Sequence, residues 1–211
     1  MSLSLEIFTL GPLDNNTFVL VDEASTTAVI IDPAQGSRKV IDLCIEQNLV
    51  ISQILLTHGH FDHFWGLEEL GNSLIELPPI RLHHADFQIY NSGGGVNWFG
   101  QATQVSTYPA VDFGTKKHIH LGEDLLHVFH TPGHSPGHVI FHVPCLAAAF
   151  VGDLIFQGSV GRTDLPGGDS RQLMASIQQS VLTFPKDTKL YPGHGPATTV
   201  ADELKYNPYL Q

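Results

Sequence analysis

Four side chains able to ligate a metal, His58, His60, Asp62 and His63, fall within six positions of the stretch 54–66, ILLTHGHFDHFWG. The apolar residues before them read as the end of a buried strand, so the four belong to the loop that follows it. In a tight turn this spacing can project two imidazoles one way and a carboxylate plus an imidazole another, which suits two ions sharing a cleft. A polar loop with chance histidines is the plainer reading, and the density of ligand types after a buried strand weighs against it. Three further positions share the context: His134 in HTPGHSPGH, Asp153 in FVGD and His194 in LYPGHG. Each follows an apolar strand and has glycine beside it, where the missing side chain lets the backbone turn sharply and an ion approach. Asp153 alone reads equally well as a turn former ending a strand, and its companions tip the balance.

The donors are imidazole nitrogens and carboxylate oxygens without a thiolate, a set that suits zinc, iron or manganese in kind. Two divalent ions, zinc first among them, are the expected cofactors. A hydroxide held between two cations is available at neutral pH, because the pKa of bound water can drop from ~15.7 to about 7. The same charge polarises a carbonyl, and together these make hydrolysis by a metal-bound nucleophile, with Asp62 also orienting it. No Ser or Cys nucleophile is required by this chemistry. Seven of the other histidines lack the glycine-flanked strand-end context. His83, His84, His118, His120, His127, His130 and His142 read as surface or hydrogen-bonded packing residues, and His138 as structural rather than a ligand.

Strands must deliver these residues. LEIFTL, TFVLVD, TAVIIDP and ISQILLT in the first third, and DLLHVFHTP, HVIFHVP, AAAFVGD and TKLYPGH later, have the apolar, β-branched character of strands. Helices are expected at SRKVIDLCIEQN, FWGLEELG (starting near Phe64), HHADFQIYNS and SRQLMASIQQSVLTFP, the last with Ser170 as N-cap and Leu173, Ile177, Ser180 and Val181 on one face. Residues 93–113, with Gly93, Gly94 and Gly95, read as a long surface loop, with Trp98, Phe99 and Tyr108 divided between a pocket wall and core packing. A strand followed by THGHFDH, and later strands followed by TPGHSPGH and YPGHG, suggest two halves that each deliver ligands from strand ends.

Composition narrows the class. No apolar run in the 211 residues approaches the roughly 18 that a membrane span needs. Formal charge is −11, from 10 basic and 21 acidic residues without a Lys/Arg cluster, so phosphate backbones and anionic membranes are repelled on average. Neither nucleic acid nor a membrane is an expected partner. Cys44 and Cys145 form no CxxC, the N-terminus lacks a secretory pattern, and a reducing cytoplasm is the expected location.

HxHxDH, a PGHxxGH segment, GD after an apolar strand and a late GHG, in this order from Asp32 to the C-terminus, resemble the metallo-β-lactamase-fold hydrolase superfamily. GDLIFQGSVGRTDLPGGD and YPGHGPATTV…YNPYL are most similar to its bacterial single-domain, glyoxalase II-like branch. The resemblance implies an α/β fold, an αββα sandwich with a dinuclear site at one edge between two sheets, as a single domain over residues 1–211. It assigns His58, His60 and His134 to one metal and Asp62, His63 and His194 to the other, with Asp153 bridging and Asp32 anchoring the His loop. It also implies a small-molecule thioester substrate such as S-lactoylglutathione. Two features depart from the two-domain glyoxalase II enzymes: the helical C-terminal glutathione-binding domain is missing, and GRTD replaces their Lys-x-Tyr segment. Arg162 can meet a substrate carboxylate there or pair with Asp164. A mononuclear iron persulfide dioxygenase is the rival reading, followed by a lactonase or β-lactamase. Oligomeric state is not legible.

Overall fold

The computed structural model describes residues 3–99, 105–114 and 117–211. In chain order its strands are β1 (Leu3–Leu10), β2 (Asn15–Asp22), β3 (Thr27–Ile31), β4 (Val50–Leu55), β5 (Ile80–Arg81), β6 (Ala110–Val111), β7 (His118–Leu121), β8 (Asp124–His130), β9 (Val139–Val143), β10 (Ala148–Gly152), β11 (Ile155–Phe156), β12 (Ser159–Val160), β13 (Lys189–Pro192) and β14 (Thr198–Thr199). The helices are α1 (Arg38–Glu46), α2 (Leu67–Ser73), α3 (Phe87–Asn91), α4 (Ser170–Gln179) and α5 (Val200–Tyr206). One six-stranded sheet runs β1-β2-β3-β4-β5-β6 and the other β14-β13-β10-β9-β8-β7, with β11 and β12 forming a separate hairpin.

The layering follows from strands that are apolar on both faces. In β2, Phe18 and Leu20 pack between the sheets while Val19 and Val21 face the helices outside. Val29 and Ile31 of β3 also face inward, and Ala28 and Ile30 outward. The second sheet repeats the pattern, with Phe141 and Phe150 inward and Ile140, Ala149 and Val151 outward against Leu173 and Ile177 of α4. Helix α1 covers the first sheet through Val40, Ile41 and Cys44. Between the sheets Phe18 meets Phe150 at 4.9 Å and Tyr191 at 5.8 Å between ring centroids. Burying each such side chain contributes about 1.5–3 kcal/mol, and the result is the αββα sandwich of an α/β protein.

Each sheet contains a parallel pair, β3 with β4 and β10 with β13. Parallel neighbours need a crossover, which α1 and α4 supply, and it leaves the carboxyl ends of both strands of a pair at the same edge. Backbone hydrogen bonds close that edge across the sheets: Val139 N donates to Thr57 O at 2.7 Å and Asn16 N to Gly193 O at 2.7 Å. The buried Asn16 amide also donates to Pro192 O at 3.0 Å and Gly195 O at 2.8 Å, holding the turn after β13.

Several local expectations need correction. Helix α4 is capped by Asp169, whose carboxylate accepts from Arg171 N and Gln172 N, and not by Ser170, its first residue. Asp62 and His63 sit in a 3₁₀ turn (Phe61–His63), and the helix after them starts at Leu67 rather than near Phe64. The 93–113 segment is no plain surface loop. Gly94, Val96 and Val105 are buried against the first sheet's outer core, Phe61 N donates to Gly94 O at 3.0 Å, and residues 110–111 form β6. Residues 100–104 of that expectation lie outside the described part.

Candidate metal centre

Asp32 follows β3 in the left-handed region (φ 50°), where a short polar side chain that bonds locally is tolerated. Its carboxylate accepts from Thr57 N at 2.7 Å, Thr57 Oγ1 at 2.6 Å and His63 Nδ1 at 2.9 Å. The Thr57 hydroxyl proton is thereby spent on Asp32, so at 3.0 Å from His58 Nδ1 its oxygen accepts from that ring. His134 Nδ1 donates to Arg162 O at 2.8 Å, and His194 Nδ1 to Leu13 O at 2.9 Å. Four imidazoles are thus fixed with Nδ1–H outward and Nε2 toward the cleft, the arrangement that outer partners impose on metal-ligating histidines.

The inward atoms converge. His134 Nε2 lies 3.2 Å from His58 Nε2 and 2.9 Å from His60 Nδ1. His194 Nε2 lies 3.2 Å from Asp62 Oδ2, and His63 Nε2 lies 3.6 Å from the same oxygen. Asp153 reaches both groups: Oδ1 is 3.5 Å from His63 Nε2, and Oδ2 is 3.7 Å from both His134 Nε2 and His194 Nε2. Two donors bound ~2.0–2.1 Å from a tetrahedral ion stand about 3.3 Å apart, so these separations fit divalent ions. Among the described residues, the groups whose donor atoms lie within 4.8 Å of one another are His58/His60/His134, Asp62/His63/His194 and His58/His63/Asp153. His63 Nε2 and Asp153 Oδ1 are buried, face each other at 3.5 Å and make no hydrogen bond in the protein, a gap that a cation between them would fill. Gly193 leaves the space open, since a Cβ there would run into Asp153 Oδ1 and His63 Cε1.

His138 is fully buried beside the site without being one of those donors. It accepts from Asp153 N at 3.2 Å through Nε2 and donates to Thr131 Oγ1 at 2.9 Å through Nδ1, which places the Asp153 backbone. The Arg162 guanidinium forms a two-pronged pair with Asp164 at 2.7–2.8 Å. Trp98 stands 42% exposed at the rim, its ring 6.1 Å from that of His60, while Tyr108 packs on the outer core. His83 and His130 stack at 4.1 Å, and His118, His127 and His142 are cross-strand neighbours on β7, β8 and β9. None of these five histidines joins a three-donor group.

Without metal, the two halves hold protons differently. Burial pushes His58 well below the usual imidazole range, aided by the charges of its histidine neighbours, and burial with His134 pushes His60 down to about 3. Burial also opposes a proton on His63, but Asp62, Asp153 and Asp32 outweigh it and raise that ring well above its ordinary value. His194 is raised despite burial by its hydrogen bond to Asp62 and the charge of Asp153. Burial would lift the Asp153 carboxyl, and the charges of His63 and His194 drive it well below the usual range instead. A metal at Asp62/His63/His194 must therefore displace protons. Its apparent affinity rises with pH until the raised imidazole values are passed, whereas His58 and His60 are already neutral. Calorimetric titration of zinc at pH 7 in buffers of different ionisation enthalpy is expected to reveal release of about one to two protons. Heats independent of buffer would contradict this charge assignment.

Comparison with known proteins agrees with this geometry. The family model described as "Metallo-beta-lactamase superfamily" matches residues 10–194. Hydroxyacylglutathione hydrolase GloC of Haemophilus influenzae is 30% identical, with 99% of this chain and 98% of that protein covered. Among solved structures, the BLEG-1 B3 metallo-β-lactamase superposes with TM-score 0.87 at 35% identity, covering 99% of this chain and 100% of that one. TTHA1623 in a di-iron-bound form superposes with TM-score 0.82 at 36% identity, covering 97% and 100%. With a family match over most of its length, a shared fold and a His/Asp cluster at the sheet edge, the chain belongs to the metallo-β-lactamase superfamily, whose fold binds divalent metals.

Proposed function

We propose that the chain is a dinuclear metallohydrolase that cleaves a small hydroxyacyl thioester, with S-lactoylglutathione as the nearest defined substrate. The observation that carries the reading is a pair of three-donor groups with Asp153 at 3.5–3.7 Å from donors of each, and four imidazoles pre-set to offer Nε2. His58, His60 and His134 would hold one ion, and Asp62, His63 and His194 the other. Zinc is the first candidate, with iron supported by the di-iron form of a 36% identical structure and manganese suited in kind. When bound, such ions supply water acidic enough to attack at neutral pH and positive charge for the carbonyl oxygen.

The chain's own residues do the rest. Asp62 is ionised, because His63 and the hydrogen bond from His194 outweigh its burial, and it orients the attacking water by accepting its proton in a hydrogen bond. Asp32 fixes which nitrogen His58 and His63 present, the first through Thr57 and the second directly, while Arg162 O and Leu13 O do so for His134 and His194. A thiolate leaves without a strong acid, which suits a cleft whose titratable groups are committed as ligands. Support for the acyl-thiol class comes from GloC, which carries the name hydroxyacylglutathione hydrolase and is matched over 98% of its length. That coverage makes an appended helical domain unnecessary to the reading. Arg162, locked to Asp164, enters as a substrate contact only if a carboxylate displaces that partner. The location proposed is the cytoplasm, and no helix among the described residues is long and apolar enough to cross a membrane.

The first experiment is the initial rate of S-lactoylglutathione hydrolysis by the metal-replete protein, with His134→Ala as control. A fast rate that vanishes in the variant supports the thioesterase. A replete protein that barely exceeds the variant ends it. The likeness to a B3 metallo-β-lactamase favours β-lactam amide hydrolysis as the second reading, tested on the same two proteins with a chromogenic cephalosporin.

A further inference from the structure

Asp86 lies on neither metal-binding loop, yet its buried carboxylate joins both. Oδ2 accepts from Gly59 N at 2.9 Å and from Ser135 Oγ at 2.6 Å, and Oδ1 accepts from Gly137 N at 2.5 Å. Gly59 is the residue between His58 and His60, and Ser135 follows His134. One carboxylate therefore grips the backbone between two donors of the His58/His60/His134 group and the loop that carries the third. Nothing it accepts from belongs to the turn bearing Asp62 and His63 or to the turn bearing His194. Those are held by other groups, His63 by Asp32 and the 192–195 turn by Asn16. Close approach is built in at Gly137, where a Cβ would come within 2.7 Å of Asp86 N.

We infer that Asp86 is a positioning residue for one ion of the pair, setting the spacing of His58 and His60 from His134 while leaving the Asp62/His63/His194 group alone. The inference rests on the dinuclear reading above. Three charge-assisted bonds hold two loops that are 27 to 51 positions from Asp86 in sequence, and such bonds are among the stronger ones available. Outer partners of this kind change metal affinity by about 10–100-fold when lost. In Asp86→Asn one acceptor becomes an NH₂ donor, and at least one of the three donors it faces loses its partner.

The test is metal content per chain and zinc affinity, measured by competition with a chromophoric chelator. Wild type is expected to hold two zinc ions, and Asp86→Asn to keep one at near wild-type affinity and bind the other about 10–100-fold more weakly. Adding His134→Ala to Asp86→Asn should cost no further ion beyond the one His134→Ala loses alone. Adding His194→Ala should cost the ion that Asp86→Asn keeps, so that only the weakened site remains. This non-additivity identifies the group on which Asp86 acts, and a merely structural role does not produce it. Ser135→Ala removes a single donor and should weaken the same ion by several-fold, a readout that survives should Asp86→Asn fail to fold. Parallel weakening of both ions, or unchanged affinities in Asp86→Asn or Ser135→Ala, would overturn the inference. A wild-type chain holding fewer than two ions refutes the dinuclear reading itself, which separates the two failures.

Discussion

On the proposed dinuclear thioesterase reading, replacing Asp153 by alanine is expected to empty both halves of the centre and to lower thioester hydrolysis at least about a thousandfold. No other side chain of the cluster faces His63 with one oxygen and both His134 and His194 with the other. Losing it would, on that reading, withdraw a donor from each ion and remove the negative charge that offsets them. A metal-held nucleophile and its carbonyl clamp supply several kcal/mol, and each 1.4 kcal/mol is a factor of ten. Metal analysis and initial rates on the same preparation check the result. A variant that retains both ions, or more than a tenth of the activity, would show that Asp153 is not shared.

The second large effect is on stability. Asp32→Asn keeps the size of the side chain and its tolerance of the left-handed backbone at φ 50°. It nevertheless sets an amide NH₂ against Thr57 N–H or against the Thr57 hydroxyl and His63 Nδ1–H. Both Asp32 and His63 are fully buried, so the mismatch is not relieved by water. Breaking a buried charged pair on one side costs about 3–5 kcal/mol. The remaining carboxylates around His63 place this case at the low end, about 3 kcal/mol in the metal-free protein. Urea denaturation of the chelator-treated variant and parent measures it, and a difference below about 1 kcal/mol would remove Asp32 from the account. The freed Thr57 hydroxyl also no longer fixes the His58 tautomer, so zinc affinity should fall with stability.

Much of the frame was legible because the long strands carry apolar residues on both faces, and all eight strands read from the sequence are present. Strands β5, β6 and β14 have two residues each, too few to show a period. Helix α5 escaped because its inward face is partly polar. Buried Glu203 there accepts from Thr198 Oγ1, Gly158 N and Asn207 Nδ2, which breaks the apolar repeat a seven-residue helix needs to be recognised. The residues the structure gathers at the centre stood out because four fall within six positions and three share a glycine-flanked strand end. Asp86 and Asn16 did not, since their partners are backbone groups far along the chain. Nothing in HHADF distinguishes the aspartate that joins two loops from one that simply opens a helical turn.

The seven converging donors are divided between the two sheets: His58, His60, Asp62 and His63 follow β4 of the first, whereas His134, Asp153 and His194 come from loops of the second. Every three-donor group draws on both. On the proposed reading, each ion is consequently a cross-link between the halves of the sandwich, comparable to a disulfide closing a long loop but reversible by a chelator. A ligand bound only by the folded chain adds about 4 kcal/mol at a thousandfold excess over its Kd. The chemistry of the cleft and the cohesion of the domain are then one equilibrium, and metal starvation would silence the enzyme and loosen its architecture from the same edge.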